Sequence, residues 1–160
     1  FKQPSDILEM AEISFRLFNA DDPARVVQWY QGDREGFSAF MGKDIPDELT
    51  CTLAMNTLLQ GNAEGRGFFR MADCGDDTIG FVGLSNITPD GKYGQPHLYV
   101  AKDQRRYSFQ VGRAAEKMAK GMGLEHFMIT VEYDNRRGLS FAKHMGYEEI
   151  RRTSFMKELH

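Results

Sequence analysis

Arg105, Arg106 and Arg113 bracket a polar turn that separates an apolar stretch from an amphipathic one. Guanidinium groups beside the backbone N–H groups that head a helix suit a phosphate-bearing ligand. Tyr107, Ser108, Gln110 and Gly112 lie in the same segment, and Tyr107 offers a ring on which a ligand can stack. Asn135 follows the next apolar run; it can hydrogen-bond a ligand or cap a helix, and spacing does not separate the two roles. Three side chains able to move a proton lie close by in sequence: His97 before the turn, Glu132 and Tyr133 after the apolar run.

The elements that must position these residues follow from periodicity. His97 to Ala101 reads as a strand. Val111, Ala114, Ala115, Met118, Ala119 and Met122 recur at helical spacing, with Arg113, Glu116, Lys117 and Lys120 opposite and Gly121 and Gly123 as the stop. Phe127 to Val131 is a short apolar run suited to a strand buried on both faces. Strand, helix and strand in that order form a crossover unit with parallel strands. Its cleft opens at the carboxyl ends of the strands, where Tyr99, Val100, Glu132 and Tyr133 fall. A last helix starts at Asp134 or Asn135, and Glu149 to Leu159 reads as a strand near an edge.

Upstream, Ile7, Ala11, Phe15 and Phe18 predict a first helix, capped at Ser5 or Asp6. Pro23 suits the first turn of a second, which Gly32 and Gly36 break or bend. Trp29 and Tyr30 lie in this helical cover. A third helix starts at Asp44 to Asp47, with Leu49, Leu53, Met55, Leu58 and Leu59 inward and Gly61-Asn62 at its end. Two hairpins follow, turning at Cys74 to Asp77 and at Thr88-Pro89-Asp90-Gly91. The whole reads as one α/β domain over residues 1–160, a mixed sheet of α+β character. Residues 1–64 form a helical cover, and residues 65–160 carry the sheet.

Bulk properties narrow the function. The chain has 160 residues, enough for one enclosed core. A net charge of −3 argues against nucleic acid or an anionic membrane as the main partner. No apolar run approaches a membrane span, and the N-terminus lacks the pattern of a signal peptide, which predicts a cytoplasmic protein. Cys51 and Cys74 are the only cysteines, expected as free thiols, and the four histidines have no metal spacing.

Residues 65 to 158 resemble the GCN5-related N-acetyltransferase family. Leu98-Tyr99-Val100 matches the family's strand end. Arg105-Arg106-Tyr107-Ser108-Phe109-Gln110 stands at its R/Q-x-x-G-x-G/A turn. Asn135, Gly138, Phe141, Gly146 and Tyr147 follow the register of its second motif, with eleven residues from Asn135 to Gly146. The resemblance implies an acyl-CoA N-acyltransferase fold, acetyl-CoA as cofactor, and an amine of a small molecule or protein as acceptor. It implies cofactor contacts from Tyr99, Val100, Arg105, Arg106, Tyr107, Ser108, Gln110, Gly112, Arg113 and Asn135. His97, at the start of its strand, and Glu132 and Tyr133, at the carboxyl end of theirs, stand where an acid or base would work, and the resemblance puts residues 1–64 along the acceptor wall. The turn departs from the family: Ser108 and Gln110 occupy the two glycine positions, or Gln110 and Gly112 if the register moves by two. Ala142 stands where a proton-donating Tyr is frequent, and Thr130 where a Glu base is frequent. Those departures leave a second expectation open: a catalytically silent member of the fold, working as a component of a larger assembly or a homo-oligomer.

Overall fold

The structure, a computed structural model, describes residues 12–41, 44–131, 133–150 and 157, except for the side chain of Phe40. Strand β1 spans Ile13–Arg16 and is followed by helices α1 (Asp22–Gly32), α2 (Arg34–Met41) and α3 (Glu48–Ala63). Strands β2 (Phe68–Cys74), β3 (Asp77–Ser85) and β4 (Tyr93–Val100) form a meander. A 3-10 turn over Lys102–Tyr107 runs directly into α4 (Ser108–Gly121), then β5 (His126–Phe127) and α5 (Arg136–His144). The sheet order is β1-β2-β3-β4-β5, antiparallel except where β4 meets β5 in parallel.

Local chemistry explains most of these elements. Pro23 sits in the first turn of α1, where its missing N–H costs nothing. Asp47 caps α3 by accepting from the Thr50 N–H at 2.7 Å, so this helix starts at the acidic end of the segment the sequence marked. The Thr88-Pro89-Asp90-Gly91 turn closes with Gly91 N donating to Thr88 O at 2.8 Å. Asn135 caps α5, its side chain accepting from Gly138 N at 3.0 Å.

The sheet carries a core on each face. Tyr99, Phe81, Phe69 and Met71 pack under α1, α2 and α3 with Val26, Tyr30, Phe37, Met55 and Leu58. The rings form a continuous row, with centroids 4.8 Å apart for Phe37–Tyr99, 5.6 Å for Phe81–Tyr99 and 5.4 Å for Phe69–Phe81. On the opposite face Val82, Leu84, Ile79 and Val100 pack against Val111, Ala115 and Ala119 of α4. That face bears out the helical stripe expected from Val111 to Ala119.

Four expectations are corrected. Residues 13–16, assigned to a first helix, are strand β1, so the segment before residue 65 supplies an edge of the sheet as well as a cover. Phe15 is set by pairing with Ala72, a partner that helical spacing cannot reveal. Leu49 and Leu53 of α3 are 67% and 56% exposed; the buried stripe is Cys51, Ala54, Met55 and Leu58. Helix α4 starts at Ser108, three residues before the expected stripe begins at Val111, because the 3-10 turn feeds it. Strand pairing in the 127–131 run stops at Phe127, and the run is only partly buried because β5 is the outer strand of the described sheet. Ile7, Ala11 and most of the Glu149–Leu159 strand lie outside the described residues.

One ionic cluster ties the first strand to the rest. The fully buried Asp22 carboxylate accepts from Arg16 Nη1 and Nη2 at 2.8 and 3.0 Å, from Arg25 Nη1 at 2.5 Å and from the Asn19 amide at 2.8 Å. Arg16 also donates to Asp73 Oδ2 at 2.9 Å and to Thr78 Oγ1 at 3.1 Å, joining β1, α1, β2 and β3. Burial alone would raise the Asp22 carboxyl; the bonds from Arg16, Asn19 and Arg25 outweigh it and hold it below the usual carboxylate range. A depressed folded-state value gives stability that is complete above the unfolded value, about 3.9, and is lost as pH falls through the folded one. Asp22→Asn is expected to cost about 3–5 kcal/mol at neutral pH, because the arginines lose a buried partner. It is also expected to flatten the loss of stability that wild type shows below about pH 4. Urea unfolding across that range measures both.

Candidate functional site

The site is built around the point where β4 and β5 part. Tyr93 pairs with His126 and Gly94 with Phe127, and Met128 N donates to Gly94 O at 2.9 Å. The next residue of β4 whose backbone faces β5 is Pro96. It has no N–H to continue the ladder, so pairing ends there. On the other edge Ala101 N donates to Ile79 O at 2.7 Å, within an unbroken register that sets Gly80 against Val100 and Val82 against Leu98. Antiparallel alternation then turns the N–H groups of Leu98 and Val100 away from β3, toward the β5 side. Two amide donors therefore face the side on which β5 no longer pairs, and Val100 itself is buried.

Gly80 fixes how closely β3 approaches this point. A Cβ there would stand 3.0 Å from Val100 Cα and closer still to the Tyr99 carbonyl oxygen. Those are backbone atoms within a paired strand and cannot step aside cheaply.

The turn after β4 differs from its expected form. Gln104 N donates to Ala101 O at 2.8 Å, and Ser108 N, at the first position of α4, donates to Arg105 O. A 3-10 turn directs each amide to the carbonyl three residues back. The helix therefore reaches back to Lys102, and the Ser108 amide is used inside it. Gly112 is buried in the interior of α4, where a Cβ would stand 2.9 Å from Met145 Cε of the α5 region and 3.3 Å from Phe141. This corrects the shifted register: Gly112 is a helix contact and not part of a ligand-facing turn.

The arginines have separate fates. Arg105 forms an ion pair with Asp33, at the junction of α1 and α2. Arg106 is exposed, with its guanidinium 4.7 Å from the Tyr107 ring centroid and its Nη1 donating to Asp103 O at 3.2 Å. Arg113 is exposed on α4, and Tyr107 packs against the core under that helix. Gln110 is half-buried. Phe109 stacks on Phe141 with centroids 5.5 Å apart and lies 4.1 Å from the His144 ring, clamping the head of α4 to α5.

The Tyr99 side chain corrects another expectation. It is fully buried on the face of β4 that meets α1 and α2, and its hydroxyl donates to Asp33 Oδ2 at 3.0 Å. Burial, with the Asp33 carboxylate next, pushes its phenol well above the usual range. Its backbone faces β3, where it pairs with Phe81, so Tyr99 offers no donor to the β5 side. His97 shares that face and bonds Ser85 Oγ through Nε2 at 2.7 Å. Tyr133 is 88% exposed, beyond the apolar run, and Glu132 lies outside the described residues. Burial of Cys51, followed by the nearby Glu48, pushes its thiol up to about 11, as befits a core filler.

Two clefts border this arrangement. One of about 410 Å³ lies at the carboxyl end of β4 and is lined by Gln28, Trp29, Gly32, Asp33, Tyr99, Ala101, Lys102 and Asp103. It contains Trp29 and excludes Tyr30, which is buried with its hydroxyl on Ile45 O at 2.7 Å. The other, about 620 Å³, runs along α5 past Arg136, Leu139, Ser140, Lys143 and His144. Sequence reasoning missed Asp33, whose only local signal was a carboxylate three residues before Gly36. Among the described residues no group of three or more His, Cys, Asp or Glu could hold a metal, and no helix is long and apolar enough to cross a membrane.

Comparison with known proteins supplies a family. The family model described as "Acetyltransferase (GNAT) family" matches residues 24–147. Among solved structures, an acetyltransferase of Salmonella typhimurium that modifies the N-terminal serine of a 50S ribosomal subunit protein is similar with a TM-score of 0.68. It shares 13% identity over 87% of this chain and 81% of its own. RimJ of Mycobacterium smegmatis, solved with CoA-disulfide, has a TM-score of 0.67 at 14% identity, covering 87% and 71%. A putative acetyltransferase of Bacillus subtilis has a TM-score of 0.63 at 14% identity, covering 93% and 100%. A search of curated proteins found no match.

Gly80→Ala tests the contact that seats Val100. Overpacking of this kind costs about 1–3 kcal/mol, and thermal melting should place the variant in that range. A melting point equal to that of wild type would show that the strands have room there.

Proposed function

This chain belongs to the GNAT acetyltransferase family, and from that premise we propose that it transfers an acetyl group from acetyl-CoA to a primary amine. The observation that carries the reading is the parting of β4 from β5 at Pro96, which leaves the amides of Leu98 and Val100 unpaired by β5. Those amides fit the thioester end of the cofactor: donors on a strand edge that β5 leaves unpaired. When bound, acetyl-CoA supplies an acetyl group activated as a thioester.

The chain's own part is positioning and charge. The Leu98 and Val100 amides orient the acyl carbonyl and stabilise negative charge that grows on its oxygen. The anionic end of the cofactor rests on side chains, since the amides of Gln104 and Ser108 are used within the turn and helix. Arg106 and Arg113 near the turn, with Arg136 and Lys143 along α5, supply positive charge for it. Asn135 orders the start of α5 on that side. The amine approaches from the Trp29 cleft, where the α1–α2 cover meets β4. His97, on the same face of β4, is the candidate for accepting its proton.

A second reading, a silent member of the fold serving in an assembly, draws on one specific observation. Ser108 and the wound 3-10 turn occupy the place where glycine-rich backbone would otherwise meet phosphate.

Titration calorimetry with acetyl-CoA separates the two. The enzymatic reading expects saturable binding, and release of free thiol when a panel of primary amines is added. No binding at millimolar cofactor, with a solution mass well above 18.3 kDa, supports the assembly reading instead. Pro96→Val returns a ladder donor and lets β5 follow β4. Acetyl-CoA affinity should then fall about tenfold, ~1.4 kcal/mol.

A further inference from the structure

Asp33 lies where three parts of the site meet. It stands at the α1–α2 junction, its side chain is 10% exposed, and it lines the Trp29 cleft. Its Oδ2 accepts from the Tyr99 hydroxyl at 3.0 Å and from Arg105 Nη2. Those partners come from the end of β4 and from the turn that leads into α4, 66 and 72 residues away in sequence. The Arg105 guanidinium also lies 6.0 Å from the Tyr99 ring centroid, so the three side chains form one packed unit.

Gly36 makes room for that unit. A Cβ on this residue would stand 2.5 Å from both Asp33 carboxylate oxygens and 2.6 Å from Arg105 Nη2. The atoms in its way are side-chain ends, so a larger residue would displace the ion pair while leaving the backbone where it is. A glycine inside α2 is a poor helix former, and this contact gives a physical reason for one at that position.

We propose that Asp33 is a positioning residue for the cofactor. It fixes the Lys102–Tyr107 turn to β4 and to the α1–α2 cover, and Arg105 serves as a strut and not as a phosphate ligand. A guanidinium already paired to a mostly buried carboxylate can reach a phosphate only by leaving that carboxylate uncompensated. The charge available to an anion therefore comes from the other basic side chains, while Arg105 sets the shape of the turn. The consequence for the cofactor rests on the acyl-CoA reading above; the mechanical role of the strut does not.

Hydrogen exchange on the full chain, with CoA titrations at several KCl concentrations, tests this on Asp33→Asn, Arg105→Gln and Gly36→Ala. Gly36→Ala deletes no polar group and improves helix propensity, so it stays informative if either charge deletion fails to fold. The strut expects amides 103–109 to exchange at least tenfold faster in all three variants, with α3 and the β2–β3 hairpin unchanged. CoA affinity should fall about tenfold, ~1.4 kcal/mol, in Asp33→Asn and in Arg105→Gln, and no further in the double variant. The salt dependence of the affinity should match wild type in Arg105→Gln. Unaltered exchange in both Asp33→Asn and Gly36→Ala would overturn the proposal. So would an Arg105→Gln variant that alone loses affinity together with part of its salt dependence, the behaviour of a phosphate contact. If wild type binds no CoA, the exchange measurement still decides the strut, and the acetyl-transfer reading is what falls.

Discussion

A proline without an N–H decides where this sheet opens. Strands β4 and β5 run side by side at Tyr93 and Gly94, and their ladder stops short of Pro96. β4 itself does not stop, because its other edge remains paired to β3 as far as Val100. One strand edge is thus held by pairing while the opposite edge is left with amides that β5 does not pair. Amide donors fixed in this way need no rearrangement to meet a carbonyl.

The two cores serve that edge from opposite sides. The aromatic row of Phe37, Phe81, Phe69 and Tyr99 fixes the cover face of β4, and Val111 and Ala115 of α4 fix the other. The side chains of alternate β4 residues are therefore committed to packing, and what β4 offers to chemistry is backbone. The turn after β4 is likewise committed: wound into a 3-10 segment, it spends the Gln104 and Ser108 amides on carbonyls three residues back.

The parts legible in the sequence were those whose causes are local. The Thr88–Gly91 turn, the Asn135 cap and the Val111–Ala119 stripe each follow from residues within a few positions of one another. β1 was misread because Phe15 and Phe18 keep helical spacing, while the state of residues 13–16 is decided by β2, nearly sixty positions away. Leu49 and Leu53 were misplaced for a related reason: α3 is apolar on several sides, so its composition does not say which side is buried. Of the proposed cofactor contacts, the sequence located the strand end and the turn but could not divide the labour among the arginines. Arg105 and Arg106 are neighbours of identical type, and only the fold gives one of them Asp33. Gly36 carried a trace of that arrangement without naming its partners.

Gly80 bears on how such a protein can change. With the backbone of Tyr99 and Val100 pressed against it, this position has no room for a methyl group and is itself nearly closed to variation. The residues around the Trp29 cleft lie on helix ends and at the start of a turn, where Gln28, Lys102 and Asp103 already face solvent. New specificity would be acquired more readily there, by redecorating the rim around an unchanging ruler.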